Sequence, residues 1–358
     1  MSLTGTPLLV LIFVLVLLAP IAVIWRWRAA ARRGGPNGKK VGAGRVLALV
    51  GCQLLAVFLT FLIANNSYGF YNSWTDLAGV GSDKPATISA HGLVHRGQGR
   101  TEIMKVSGGP SGASGDVLVW LPHQYDEQRY ATKKFPVMMV LPGQPSQVQA
   151  MFLHFNFGAV ATQEIDSGRV QPFVAVFPPL MIDPPRDTEC TNVEAGPQAL
   201  TWLQRDVPQA TLTHLRVSDR PDRWSVMGWS TGGFCAAKLL LTESNRFTAA
   251  ASLGGYYQPL LDNTTGRLFA NRSQRDANSP LYLYLTKGLA PGTSLLLVSG
   301  RQDSESWPMT EKMINATQGN PNVYTYIFDQ GGHNYRNYKD LLPGILGWFQ
   351  TRGVLGTG

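Results

Sequence analysis

Three residues whose chemistry supports nucleophilic catalysis stand in a telling order along the chain: Ser230, Asp303 and His333. A serine hydroxyl is a poor nucleophile until a base takes its proton, and the base needs a carboxylate to orient it. Ser230 lies in Gly228-Trp229-Ser230-Thr231-Gly232, a G-x-S-x-G turn. Of the six histidines (His91, His95, His123, His154, His214 and His333), only His333 follows Ser230. It sits in Gly331-Gly332-His333-Asn334, just after the apolar run 323–328. A lone histidine is more often structural than catalytic, but this one has the required order and loop position. The apolar run 294–299 precedes Gly300-Arg301-Gln302-Asp303, which makes Asp303 the expected acid and Glu305 the alternative. Asp329 is nearer His333 in sequence, but a residue there points along the end of a strand.

Acyl chemistry at a serine also needs two N–H donors for the developing oxyanion. Thr231, next after the nucleophile, is expected to supply one. The other falls to the loop Pro142-Gly143-Gln144 after the apolar run 137–141. Pro142 has no N–H, which leaves Gln144 or, second, Gly143.

The elements that must hold these residues can be read around the serine. Residues 224–227 form a short apolar strand and residues 233–241 a helix, so the motif sits on a strand, a tight turn and a helix. That context turns G-x-S-x-G, which a chain with 38 glycines meets by chance roughly one time in four, into a nucleophile elbow. The Gly/Ser-rich stretch Gly108 to Gly115 never completes the pattern and has no helix after it. Further strands are expected at 117–121, 137–141, 173–177, 249–253, 294–299 and 323–328. Further helices are expected at 197–206, 305–317 and 338–350. Alternating strands and helices imply a mostly parallel sheet covered on both faces, an α/β-hydrolase architecture.

Two apolar runs precede this domain, at 8–25 and 46–64, each long enough to cross a hydrocarbon core of about 30 Å. No Lys or Arg precedes the first run, which argues against a cleaved signal peptide. Residues 1–64 hold no acid and seven bases: Arg26, Arg28, Arg32, Arg33, Lys39, Lys40 and Arg45. All lie in the connection 26–45, so the positive-inside rule makes that loop cytoplasmic and places both ends of the hairpin outside. The net charge of +8 is therefore local. The remainder carries 24 basic against 23 acidic residues, which excludes a phosphate-binding groove and with it a nucleic-acid partner. Tyr68, Phe70, Tyr71 and Trp74 suit an outer interfacial belt. The expected organisation is a transmembrane hairpin over 1–64, a juxtamembrane linker over 65–100 with an opening strand at 87–94, and a catalytic domain over 101–358. The catalytic domain is then extracytoplasmic.

Cys52 falls inside the second apolar run, where it acts as a small apolar residue. In an extracytoplasmic domain Cys190 and Cys235 are free to form a disulfide, which would pin the loop around Cys190 against the helix behind Ser230. No group of His, Cys and carboxylates has metal spacing, and no phosphate-binding or dinucleotide fingerprint is present. No cofactor is implied.

Residues 110 to 350 resemble the Esterase family, which includes esterase D-like enzymes and, more distantly, mycolyltransferases. The resemblance is carried by MGWSTGGFCAAKLL, LTWLQRDVPQ, VSGRQD and GGHN. The opening MSLTGTP and its hairpin are similar to actinobacterial esterase-like membrane proteins. The resemblance implies an α/β-hydrolase fold, no metal, and a Ser-acid-His triad at Ser230, Asp303 and His333. Mycolyltransferases use Glu as the acid where this chain offers Asp first. Many esterase D relatives carry His-Gly where this chain has Pro142-Gly143. The expected function is a membrane-anchored serine esterase or acyltransferase acting through an acyl-serine. An envelope lipid or glycolipid ester and a generic ester are both compatible with this. The rival reading is an inactive envelope scaffold on a hydrolase fold.

Overall fold

The computed structural model describes residues 3, 5–32, 43–68, 74, 98–144, 148–242, 245–329 and 332–355. The chain divides into two compact units, Met1–Thr87 and Ile88–Gly358. The opening strand expected at 87–94, most of the linker 65–100, and Arg33, Lys39, Lys40, Phe70 and Tyr71 lie outside the described residues.

The first unit is built on two helices, α1 (Thr6–Arg32) and α2 (Ala43–Tyr68), with Pro20 inside α1. Both run beyond the apolar runs 8–25 and 46–64. Leu8, Ile12 and Leu62 are buried with Leu55, Phe58 and Leu59 packed against them. Phe13, Leu17, Leu47, Leu54 and Val57 are exposed. The apolar spans Thr6–Ala29 and Gly44–Asn66 are only 11% and 6% buried, unlike the core helices of a globular domain. Both are long and apolar enough to cross a membrane.

Among the described residues of the second unit, one eight-stranded sheet carries the architecture. Its strands are β1 (Arg100–Val106), β2 (Gly115–Leu121), β3 (Val137–Leu141), β4 (Val174–Phe177), β5 (Trp224–Trp229), β6 (Ala249–Leu253), β7 (Ser294–Gly300) and β8 (Val323–Phe328). Their spatial order is β1-β2-β4-β3-β5-β6-β7-β8. β1 and β2 pair antiparallel, β2 pairs antiparallel with β4, and every pair from β4 to β8 is parallel. β1 has no counterpart among the expected strands. As an edge strand on β2 it is only partly covered, and its mixed sequence RTEIMKV hides the pattern. The Gly/Ser-rich stretch is the turn of the β1–β2 hairpin.

The central strands read as unbroken apolar runs because both faces are buried. Val137, Met139 and Leu141 of β3, Trp224 and Val226 of β5, and Leu295 and Leu297 of β7 enter one core. Met138 and Val140, Met227 and Trp229, and Leu296 and Val298 enter the other. The first core is closed by the helix Thr231–Thr242, buried from Thr231 to Leu240. The second is closed by the helices Phe157–Asp166 and Leu342–Thr351.

Helix boundaries moved where local chemistry overrides periodicity. The expected helix 197–206 continues to His214 through a wide π-helical turn at Trp202–Asp206, where the Val207 N–H reaches back to the Trp202 carbonyl. The wide turn comes just before Pro208, whose ring and missing N–H disfavour regular helix. The expected helix 338–350 is two helices, Tyr335–Lys339 and Leu342–Thr351, the second beginning with a proline in its first turn. The helices Val148–His154, Phe157–Asp166 and Pro280–Lys287 were not among those expected.

Candidate active site

Ser230 lies where β5 turns into the helix Thr231–Thr242, with φ at 58° in the left-handed region. A non-glycine residue there is strained and must be held by its surroundings. Its N–H donates to the Leu253 carbonyl at 2.8 Å, and its carbonyl accepts from the Phe234 N–H at 3.1 Å. The flanking glycines are steric requirements. A Cβ on Gly228 would lie 2.1 Å from the Gly232 carbonyl oxygen, and one on Gly232 would lie 2.2 Å from the Leu141 carbonyl oxygen. Strand and helix pass too closely for any side chain.

His333 meets the serine from the loop after β8. Its Nε2 lies 2.8 Å from Ser230 Oγ, and its Nδ1 lies 2.8 Å from Asp303 Oδ2. Asp303 follows β7, and its side chain is fully buried. Its Oδ1 accepts the N–H groups of Glu305 and Ser306 at 3.2 and 3.1 Å, so the following helix begins only at Trp307. Its Oδ2 also accepts the Tyr338 hydroxyl at 2.5 Å. Burial alone would push the Asp303 carboxyl up. The hydrogen bond and charge of His333, then the Tyr338 hydroxyl and the Ser306 N–H, outweigh burial and hold it below the ordinary carboxylate value. Burial and the adjacent carboxylate push the Tyr338 phenol far up, so it stays a donor.

Between the two expected acids the geometry is decisive. Glu305 has an exposed side chain 3.8 Å from Nε2, the nitrogen facing the serine, and only Asp303 reaches Nδ1. Asp329 is exposed and pairs with Arg301. Gly143 packs so closely on the serine that a Cβ there would lie 3.0 Å from Ser230 Cβ and 2.6 Å from the Trp229 ring. The loop carrying Gly143 and Gln144 therefore abuts the nucleophile. Thr231 opens the helix, and first-turn N–H groups have no acceptor within their own helix.

Some contributors have no signature in the sequence. The Trp229 ring stacks on His333, with centroids 4.8 Å apart and planes 23° apart, and Tyr335 packs on the same indole at 4.0 Å. Trp229 is the variable position of its motif, and only the turn brings it under the imidazole. Tyr338 sits five residues beyond His333, at the start of the expected helix 338–350. Cys190 and Cys235 are joined in a disulfide with Cα atoms 5.9 Å apart, tying the loop after β4 to the helix behind Ser230. Among the described residues no group of three or more His, Cys and carboxylate side chains is arranged to hold a metal.

The family model described as "Putative esterase" matches residues 112–349, which contain all of these residues. The chain belongs to that family. An uncharacterized protein of Corynebacterium glutamicum is 22% identical over 255 residues, 67% of this chain, and the chain spans 58% of that relative's length. Similar solved structures include a ferulic acid esterase (15% identity, TM-score 0.60, 72% of this chain and 98% of that one). An S-formylglutathione hydrolase from Agrobacterium tumefaciens is similar too (17% identity, TM-score 0.60, 74% and 98%). A fluorophosphonate-binding serine hydrolase of Staphylococcus aureus gives a TM-score of 0.58 at 15% identity, over 70% and 98%. The fold of this esterase-family member is thus that of the α/β-hydrolases, as its motifs imply.

Proposed function

We propose that the chain is a membrane-anchored serine carboxylesterase or acyltransferase whose catalytic unit faces the outside of the cell. The observation that carries the reading is the continuous hydrogen-bonded path from Ser230 through His333 to Asp303. Ser230 Oγ attacks the ester carbonyl while His333 Nε2 takes its proton. Asp303 holds the tautomer with hydrogen on Nδ1 and stabilises the imidazolium. The N–H groups of Thr231 and of Gln144, with Gly143 as the neighbouring donor, receive the oxyanion. His333 then returns the proton to the leaving alkoxide, the carbon–oxygen bond breaks, and an acyl-Ser230 remains. Water attacking that ester completes hydrolysis; a sugar or other alcohol completes acyl transfer.

Anchoring rests on the two apolar helices, and orientation rests on the seven bases between the apolar runs 8–25 and 46–64. A lipid or glycolipid ester of the envelope matches a catalytic unit tethered this way. Labelling with a fluorophosphonate tests the chemistry. Wild type should label, and Ser230→Ala and His333→Ala should not. Folded wild type that stays unlabelled would leave the chain a scaffold on a hydrolase fold.

A further inference from the structure

Beside the triad lies a buried polar cluster that the acyl chemistry above does not use. Glu189, only 1% exposed, accepts the Tyr256 hydroxyl on Oε1 at 2.7 Å, and Tyr256 is 3.2 Å from Thr231 Oγ1. A phenol has one proton to give. With that proton on Glu189, the Thr231 hydroxyl donates to the Tyr256 oxygen, so the bonds run in one direction from Thr231 to Glu189. Glu189 Oε2 has no hydrogen-bond partner among the described residues.

Glu189 is placed at the expense of its own backbone. It and Cys190 are consecutive non-glycine residues with φ of 49° and 47°. Such residues persist only where their surroundings over-determine them, and they concentrate at functional positions. Here the surroundings are one face of the helix behind Ser230. Cys235 is bonded to Cys190, and the buried Lys238 ammonium donates to the carbonyls of Glu189 and Cys190 at 3.2 and 2.8 Å and to Thr191 Oγ1 at 2.9 Å. The Glu189 N–H is in turn held by Asp187 Oδ1 at 2.8 Å. Thr231, Cys235 and Lys238 are spaced four and three residues apart, so one helical stripe holds the loop directly at Cys235 and Lys238 and, through Tyr256, at Thr231. Burial, and then the nearby Asp187 carboxylate, push the Glu189 carboxyl well up. Burial brings Lys238 down to about 7, opposed by Glu189. A fold maintaining two such groups solely for stability would do better with apolar ones.

We propose that Glu189 is a positioning residue: through Tyr256 it fixes Thr231, and with it the peptide N–H that receives the oxyanion. The proposal rests on the reading of Ser230 as the nucleophile. Glu189 touches no reacting atom. It acts by keeping the first turn of the helix from shifting as charge develops on the substrate oxygen.

The test uses the full-length protein, p-nitrophenyl butyrate as substrate, and a trifluoromethyl ketone that forms a tetrahedral adduct on an activated serine. Tyr256→Phe should lower kcat by about tenfold to a hundredfold with KM unchanged, and should weaken the ketone by a similar factor. Glu189→Ala should do the same, and Glu189→Gln, which keeps an acceptor oxygen, should recover most of the loss. Thermal midpoints measured alongside separate this from unfolding. Wild-type kcat and ketone affinity in Tyr256→Phe, with only a lower midpoint, would overturn the proposal while leaving the nucleophile intact. If that variant does not fold, equal losses in Glu189→Ala and Glu189→Gln overturn it instead. Wild type that binds neither fluorophosphonate nor ketone would remove the nucleophile and the proposal together.

Discussion

Asp303 carries four partners on two oxygens, and that arrangement separates it from the exposed Glu305. Asp303→Asn keeps the shape but presents an amide N–H or a weaker acceptor to Nδ1, favouring the wrong imidazole tautomer. We expect kcat to fall by about four orders of magnitude, read as the rate of ester cleavage. The same residue has a signature in stability. Its folded pKa lies below the ordinary value of about 4, so the unfolded chain binds the proton more readily. The contribution is therefore whole above about pH 4 and is lost as pH falls through the lowered folded value. Denaturant unfolding from pH 7 down to pH 3 should show a shallower acid decline in Asp303→Asn than in wild type. An unchanged decline would show that the carboxylate is not held low.

At the scale of elements, the helix behind Ser230 does two things at once. Its first turn follows directly on Ser230, and its inner face fastens the loop from Glu189 to Thr191. The disulfide closes a loop of 45 residues, for which chain entropy gives about 4 kcal/mol, an upper figure where the unfolded chain is itself compact. Cys190→Ala with Cys235→Ala should therefore lose about 2 to 4 kcal/mol in denaturant unfolding. Reductant should destabilise wild type by a comparable amount and leave the double variant unaffected. A wild type indifferent to reductant would mean the bridge closes no such loop in solution. The wide turn at Trp202–Asp206 and the split at Asp340–Leu341 belong to this scale as well. Hydrophobic periodicity registers which face is buried, and prolines at 208 and 343 decide where the helix can run regularly.

At the scale of the whole molecule, the proposed topology determines which positions a membrane-impermeant label can reach. With both spans crossing and the basic connection inside, a cysteine introduced at an exposed catalytic-unit position such as Glu305 should react with a membrane-impermeant maleimide on intact cells. A cysteine at Lys39 should react only after the membrane is opened. The reverse pattern would invert the topology and place the triad in the cytoplasm. The Glu305 probe should be read in a Cys52→Ala background, since Cys52 is the free thiol among the described cysteines.

Much of this protein was legible in its residues, because each legible feature has a local cause. G-x-S-x-G between an apolar strand and a helix implies a close crossing, and the colliding Cβ positions at Gly228 and Gly232 show why no other residue serves. Apolar runs without alternation imply strands covered on both faces, and the split of β3, β5 and β7 between two cores is that burial. The order Ser, acid, His follows from which strand ends lie together in a parallel sheet. What the tertiary structure alone decided involves residues distant in sequence or ambiguous in type. Asp303 rather than Glu305 reaches Nδ1 because two backbone N–H groups and Tyr338 orient it. Trp229 lies against His333, and Glu189 lies against Tyr256, only because folding brings three strand ends and a strained loop to one place. A chain pattern records burial and turn geometry; direction in space, which selects a hydrogen-bond partner, exists only once the sheet is assembled.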